Sequence, residues 1–365
     1  MRILQISSAA SFGGGERYAA DLANTLQERG HDIYAAVRRQ SPLIAQLRLS
    51  AAKIKTLPLR NALDVQSAHE LARFVRKHEI EIVHAHMARD YSLAAYAAHR
   101  NRNTKFIVTR HVLFPLSRLH RQTLARATRV IAVSNAVARE LKAAKLMNKD
   151  RITVVHNGID IARFARVLAG FDRAEFLRSK GLPEDCLLAG SIGELRTLKR
   201  HDDFIRAAAM IAPQFEKVHF VLAGVDTSST HEIKQQLERL VSELRLRDRF
   251  HFLGWLDDAE KLLAAMDVFV SASETESFGL AIAEAMAAGS AVVATATEGA
   301  REVVEDQKTG LLVPIGNVEQ IAENVARLLA DAERRKEISA RAKEAVAARF
   351  SLQRMVDEIE AIYGS

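Results

Sequence analysis

The chain has a single cysteine, Cys186, among 365 residues. An internal disulfide is therefore excluded, and so are metal sites that need several thiolates. One tryptophan and an aromatic content of 6% leave few flat rings on which nucleic-acid bases could stack. No run of about 18 apolar residues reads as a membrane-spanning helix. Met1-Arg2-Ile3-Leu4-Gln5-Ile6 is too short, and turns polar too soon, for a secretory leader, and it reads as a first strand. Low-complexity tracts and repeats with a period of about 20–50 residues are absent. The P-loop Gly-Lys-Ser/Thr is missing as well. These absences predict a cytoplasmic globular protein.

Apolar and charged contents are ordinary for such a protein, and 365 residues exceed what one core usually supports, so two domains are expected. The charge is unevenly spread. Residues 1–168 carry a net charge of +16 and the remainder −9. Residues 91–139 hold nine Lys and Arg and no Asp or Glu. Such a basic half suits an anionic partner: nucleic acid, an anionic membrane or an anionic acceptor.

Strand-like apolar runs alternate with helical stretches throughout, which predicts α/β architecture with parallel sheets. Strands are expected at residues 2–7, 32–37, 54–57, 82–84, 105–109, 129–133 and 152–155. A second set is expected at 187–193, 219–223, 249–253, 268–271 and 291–294. Helices such as 15–29, 318–330 and 353–363 fill gaps. The non-periodic stretch Phe164–Asp172 reads as the linker.

The most informative segment is Glu276-Ser277-Phe278-Gly279-Leu280-Ala281-Ile282-Ala283-Glu284-Ala285-Met286. It lies between two buried strand-like runs. Its alanines favour a helix and Gly289 is a plausible stop. Strand, loop, helix, strand places Glu276 in a loop at a sheet's carboxyl edge. Glu284 falls two turns into the helix on nearly the same face. Two carboxylates there can grip sugar hydroxyls, while the amides of Phe278, Gly279 and Leu280 face an anion.

Two further segments carry chemistry. Ser11-Phe12-Gly13-Gly14-Gly15-Glu16 follows the first strand and opens a helix, so the backbone can approach a ligand closely. Gly193-Glu194-Leu195-Arg196-Thr197-Leu198-Lys199 ends the first strand of the second half. Arg196 and Lys199 suit a diphosphate. His84 and His86 lack a third ligand at suitable spacing, so no metal is expected, and they read as capping a strand edge.

The Glu276–Glu284 segment resembles the E-x7-E signature of the family-4 retaining glycosyltransferases of GT-B fold (glycosyltransferase group 1 type). The resemblance runs nearly the whole chain, from the glycine loop to the final helix, and includes Asn157-Gly158-Ile159-Asp160 with Phe164 following. It implies two Rossmann-like domains with parallel sheets facing across a cleft. Residues 1–168, plus a final helix of about 350–365 crossing back, would bind acceptor; residues 169–349 would bind the nucleotide-sugar. It implies that Glu276 contacts the donor sugar, Glu284 the ribose, and Lys199 with Arg196 the diphosphate. His111, at the end of its strand, would lie near the sugar. Gly14, Gly15, Gly224, Leu253, Ser277, Phe278, Gly279 and Leu280 would line the donor site. Gly13, Glu16, His84 and Asn157 would lie on the acceptor side. The chain departs from the family's Gly-Arg-Leu-x-x-x-Lys by carrying Glu194 in place of Arg, with Arg196 two places on.

The implied activity is retaining, metal-independent transfer from a nucleotide-diphosphate sugar to a hydroxyl of a glycan or lipid-linked acceptor, in cell-surface polysaccharide or lipopolysaccharide assembly. No cofactor is expected. The departing phosphate oxygen would help deprotonate the acceptor, with Glu276 positioning the sugar and not attacking it. A nucleotide-sugar epimerase or a phosphorylase on this fold, and a nucleic-acid-binding protein using the basic half, are the competing readings. A phosphorylase normally needs a much longer chain, and few aromatics argue against nucleic acid. The basic half, with Val112-Leu113-Phe114-Pro115-Leu116 amid Arg110, Arg118 and Arg121, predicts peripheral docking on the anionic inner face of the plasma membrane.

Overall fold

A computed structural model describes residues 1–118, 120–228 and 230–365. The chain divides into two compact units, Met1–Gly158 with Leu352–Ser365, and Ile159–Ser351.

The first unit is a seven-stranded parallel sheet. Its strands are β1 (Arg2–Ser7), β2 (Asp32–Arg38), β3 (Ile54–Leu57), β4 (Ile82–Ala85), β5 (Lys105–Arg110), β6 (Arg129–Ala132) and β7 (Ile152–Val154). Their spatial order is β3-β2-β1-β4-β5-β6-β7. Helices on both faces bury the apolar side chains of Ile3, Leu4, Ile6, Val83, Ile107 and Val108 completely, which is why these strands read as continuous apolar runs without alternation. The order reverses between β1 and β4, and that is where an open parallel sheet leaves a crevice at its carboxyl ends. Helix α1 (Gly14–Glu28) follows β1 and helix α2 (Tyr91–His99) follows β4, so both start at that crevice.

The second unit repeats the plan with six parallel strands: β8 (Leu187–Ile192), β9 (Val218–Ala223), β10 (Phe250–Gly254), β11 (Val268–Ser271), β12 (Ala291–Thr295) and β13 (Leu311–Val313). Their order is β10-β9-β8-β11-β12-β13, reversing between β8 and β11. Helix α3 (Leu280–Ala288) joins β11 to β12. Strand β13 escaped the sequence reading because three residues beside a turn give no periodicity.

The final helix, α4 (Leu352–Gly364), belongs to the first unit. It buries Leu352, Met355, Val356, Ile359, Ile362 and Tyr363 in that unit's core. Each fully buried aliphatic side chain stabilises by roughly 1.5–3 kcal/mol, enough to hold a helix that returns from far along the sequence. A Cβ on Gly158 would lie 2.6 Å from the Leu352 Cα, so only glycine fits where the helix begins. The division of the chain thus falls at Gly158–Ile159. The expected linker Phe164–Asp172 contains the end of a helix, Ile161–Val167, whose Phe164 is buried in the second unit's core. Its weak periodicity reflects a short helix of which Phe164 is the buried anchor and most neighbours are exposed or part-exposed.

Candidate active site

In the second unit the loops after β8 and β11 meet at the reversal of strand order. Lys199, from the β8 loop, donates to Glu276 Oε1 at 2.7 Å. Ser273 Oγ donates to the same oxygen at 2.7 Å. The two loops are also joined through the backbone, Glu274 N–H donating to Leu198 O at 2.9 Å. The pair stands 77 positions apart in sequence, and the fold of the sheet brings its loops together. Lys199 is therefore in direct contact with the first carboxylate of the signature.

The loop that carries Glu276 is braced from below. Thr295 Oγ1 donates to Ser273 O at 2.5 Å. Gly299 N–H donates to Glu276 O at 3.1 Å. A Cβ on Gly299 would lie 2.5 Å from Glu276 O and 2.7 Å from Phe278 N. Ser273, Thr295 and Gly299 were missed in the sequence. Only a glycine next to a short helix marked the last of them.

Helix α3 starts at Leu280, with Gly279 as its N-cap at φ +97°. A side chain at that φ is strained, so glycine sets the entrance angle. The first helical amides have no partner one turn earlier in the helix, and together they attract negative charge. Ser277 and Leu280 are part-buried beside this entrance, and Glu284 is part-buried in the second turn. The Phe278 side chain is 2% exposed and packs edge-on against Phe350. Only its backbone can serve a ligand.

Gly224 has φ +149°, and a Cβ there would lie 1.9 Å from Gly193 O. Its N–H donates to Gly254 O at 2.8 Å. The carboxyl ends of β8, β9 and β10 thus close up as bare backbone, with Leu253 part-buried next to Gly254. Arg196 is largely exposed and lies 3.4 Å from Glu194, which also accepts from Thr227 Oγ1 at 2.5 Å. The residue that departs from the family pattern is therefore the one that partly neutralises Arg196.

In the first unit, Glu16 caps α1 by accepting from Gly13 N–H at 3.0 Å. Gly14 and Gly15 form the first turn, and a Cβ on Gly15 would lie 3.7 Å from His111 Cγ. The glycine loop and His111 are thus neighbours at the β1–β4 crevice. Burial and the charge of Arg110 push the His111 imidazole down to about 3, so it is neutral at physiological pH. Asn157 is buried, and its Oδ1 has no hydrogen-bond partner within the protein.

His84 corrects the expectation of an acceptor-side residue. It is fully buried, and its ring nitrogens bond Tyr363 and Thr109 at 2.6 and 2.7 Å. It cannot touch an acceptor. His86 is buried as well, bonded to Gln5 at 2.7 Å, and caps no exposed edge. Arg110 is a further correction: it is buried and donates to Phe114 O, folding the loop back instead of facing outward. Within that loop Val112 and Phe114 remain exposed, at 37% and 55%, while Leu113 and Leu116 pack on the core. No helix among the described residues is long and apolar enough to cross a membrane.

Residues 172–345 match the family model described as glycosyl transferases group 1, and residues 12–163 that described as glycosyltransferase family 4. The chain is 29% identical to N-acetyl-alpha-D-glucosaminyl L-malate synthase of Bacillus anthracis, over 98% of this chain and 95% of that one. It is also 29% identical to the lipopolysaccharide core biosynthesis glycosyltransferase LpsE of Rhizobium meliloti, over 94% of each. The fold is similar to that of Anabaena Alr3699/HepE, solved in complex with UDP and glucose, at a TM-score of 0.86. Identity there is 23%, with 99% of this chain and 98% of that one covered.

Proposed function

The chain belongs to the family-4, group 1 glycosyltransferases of GT-B fold, and from that premise we propose that it transfers a sugar, with retention and without a metal, from a nucleotide-diphosphate donor. The observation that carries this reading is the Lys199–Glu276–Ser273 cluster at the mouth of α3. An incoming diphosphate offers Lys199 two negative charges in place of one. The ammonium turns to the phosphates, joined by Arg196 and the first amides of α3. Glu276, released from Lys199 but still held by Ser273, then accepts from the hydroxyls of the sugar. Charge that develops on the leaving diphosphate meets groups already in place; a preorganised, part-buried donor such as Lys199 is worth on the order of 3–4 kcal/mol, and the exposed Arg196 less.

In this reading the departing phosphate oxygen takes the proton of the acceptor hydroxyl on the face it leaves. Glu276 positions and does not attack. Glu284 contacts the ribose, and the strand-end backbone at Gly193, Gly224 and Gly254 admits the nucleoside. The acceptor is a glycan or lipid-linked hydroxyl of envelope polysaccharide or lipopolysaccharide assembly. The kinship with LpsE and the basic first half support that class. The exposed Val112 and Phe114, close in sequence to Arg118 and Arg121, support peripheral docking on an anionic leaflet at about 1 kcal/mol per basic residue.

The test is a panel of UDP-, GDP- and ADP-sugars. One class should raise the melting temperature of the wild-type protein, and Glu276→Ala should lose transfer. NMR of the product should show the donor's anomeric configuration kept. An inverted product sinks the retaining mechanism, and near-normal turnover by Glu276→Ala sinks the role of that carboxylate. Co-sedimentation with anionic vesicles at low salt tests docking, and protein left in the supernatant refutes it.

A further inference from the structure

Behind His111 the first unit contains a closed train of buried polar side chains that the transfer chemistry does not itself use. His111 Nε2 lies 3.4 Å from His86 Nδ1. His86 Nε2 lies 2.7 Å from Gln5 Oε1. Gln5 Nε2 donates to the Tyr363 hydroxyl at 3.3 Å. The same hydroxyl lies 2.6 Å from His84 Nδ1, and His84 Nε2 lies 2.7 Å from Thr109 Oγ1. Tyr18, whose ring sits edge-on to His111 with centroids 4.8 Å apart, bonds Thr109 Oγ1 at 3.5 Å. The train runs from α4 through β1 and the β4 end to His111.

Hydrogen-bond logic fixes a direction through it. The Gln5 amide donates to Tyr363, so its oxygen is the end that faces His86 and must accept. His86 therefore carries its proton on Nε2, and its Nδ1 is bare. A bare Nδ1 can only accept, so His111 donates from Nε2, and its own Nδ1 is left bare. At the other end Tyr363 accepts from Gln5 and donates to His84 Nδ1, so His84 donates from Nε2 to Thr109. Each histidine is neutral: burial pushes His84 down to about 3, and His86 falls well below the ordinary imidazole range with the other imidazoles adding to the effect. With the Gln5 amide in this orientation the other proton positions follow, since reversing any one bond alone leaves a buried group unpaired.

We propose that Tyr363, Gln5 and His86 are positioning residues that hold His111 in the Nε2–H tautomer, making it an acceptor for a sugar hydroxyl at the glycine loop. The proposal rests on the reading of His111 as a sugar-facing residue. The last helix of the chain thereby takes part in setting the chemistry of a residue 252 positions earlier, without contacting any substrate.

The test uses the full chain labelled with 15N-histidine, without donor, and long-range 1H–15N spectra. His111 and His86 signals are assigned by single His→Gln replacements. The wild type should show both rings protonated at Nε2, with no change across neutral pH. Tyr363→Phe and, separately, Gln5→Leu should convert His111 to a mixture of tautomers. The His219 and His251 signals of the second unit and the circular dichroism should stay unchanged. Turnover should fall on the order of tenfold, the value of one hydrogen bond in the transition state, with donor KM little altered. A wild-type His111 protonated at Nδ1, or His111 signals indifferent to both substitutions, overturns the train regardless of what the enzyme transfers. Altered tautomers with unchanged turnover overturn the positioning role. Wild-type protein that transfers no sugar would instead refute the function on which the role rests.

Discussion

The two units share one plan and load it differently. Each has a parallel sheet whose strand order reverses once, and each sets its candidate residues at that reversal. In the second unit the residues are ions held by one another, Lys199 on Glu276, part-exposed and free to exchange partners. In the first they are neutral imidazoles and hydroxyls, buried and with nothing to exchange. The contrast separates two tasks. Charge that appears and leaves during a reaction needs groups that can be re-paired. Orientation of a neutral hydroxyl needs groups that cannot move.

If that division is right, the largest losses should come from the ion pair. Lys199→Ala and Glu276→Ala should each lower turnover roughly 10²- to 10³-fold. The double variant should be far less damaging than the product of the two, because the residues act as one unit. Initial rates under saturating donor check this, and full additivity would show that the pair is not functionally coupled. Removing its brace should matter next. Gly299→Ala puts a Cβ 2.5 Å from Glu276 O, so the loop must shift. A loss of at least tenfold in kcat/KM is expected, with a melting temperature that falls by several degrees.

The first unit should answer to pH instead. Asp90, at the start of α2, is fully buried, with Oδ2 accepting from Ser8 N–H at 2.8 Å and Oδ1 unpartnered. Burial pushes its carboxyl up to about 6. The unfolded carboxyl ionises near pH 4, so protonated Asp90 is the form the fold favours. Its contribution is fully present below pH 4 and is lost as pH rises to about 6, a difference of up to about 3 kcal/mol. Asp90→Asn should therefore raise stability at pH 7.5 and not at pH 4, read from denaturant unfolding at both values. Equal effects at the two pH values would show that Asp90 is not held neutral.

The smallest effect belongs to Arg196. It is largely exposed and shares its charge with Glu194. Arg196→Ala should raise donor KM only a few-fold, about 1 kcal/mol or less. Glu194→Gln should lower donor KM by a similar factor, if Glu194 is what restrains Arg196. Titrating the donor against each variant decides it.

Much of this was legible in the chain. Strand runs, the glycine loop and the Glu276 segment are local signals, because strand burial, turn glycines and helix starts are decided by neighbours in sequence. Twelve strands could be placed within a residue or so for that reason. The family kinship followed from order and spacing, which are also properties of the chain.

Other assignments depended on partners that only folding supplies. His84 and His111 both end β-strand segments and look alike in sequence; one is sealed behind Tyr363 and Thr109, the other rests on the glycine loop. Phe278 sits inside the signature, yet it is core. Gly299 is an ordinary helix glycine until the backbone of Glu276 is laid against it. The sequence by itself determined the two α/β units, the family and the chemical types at each sheet reversal. Tertiary structure alone decided which of those side chains are paired, which are buried, and that the last helix closes the proton train behind His111. The reason is physical: burial and hydrogen bonding are relations between groups brought within about 3 Å of one another, and residues 77 or 358 positions apart reach that distance only when the chain is folded.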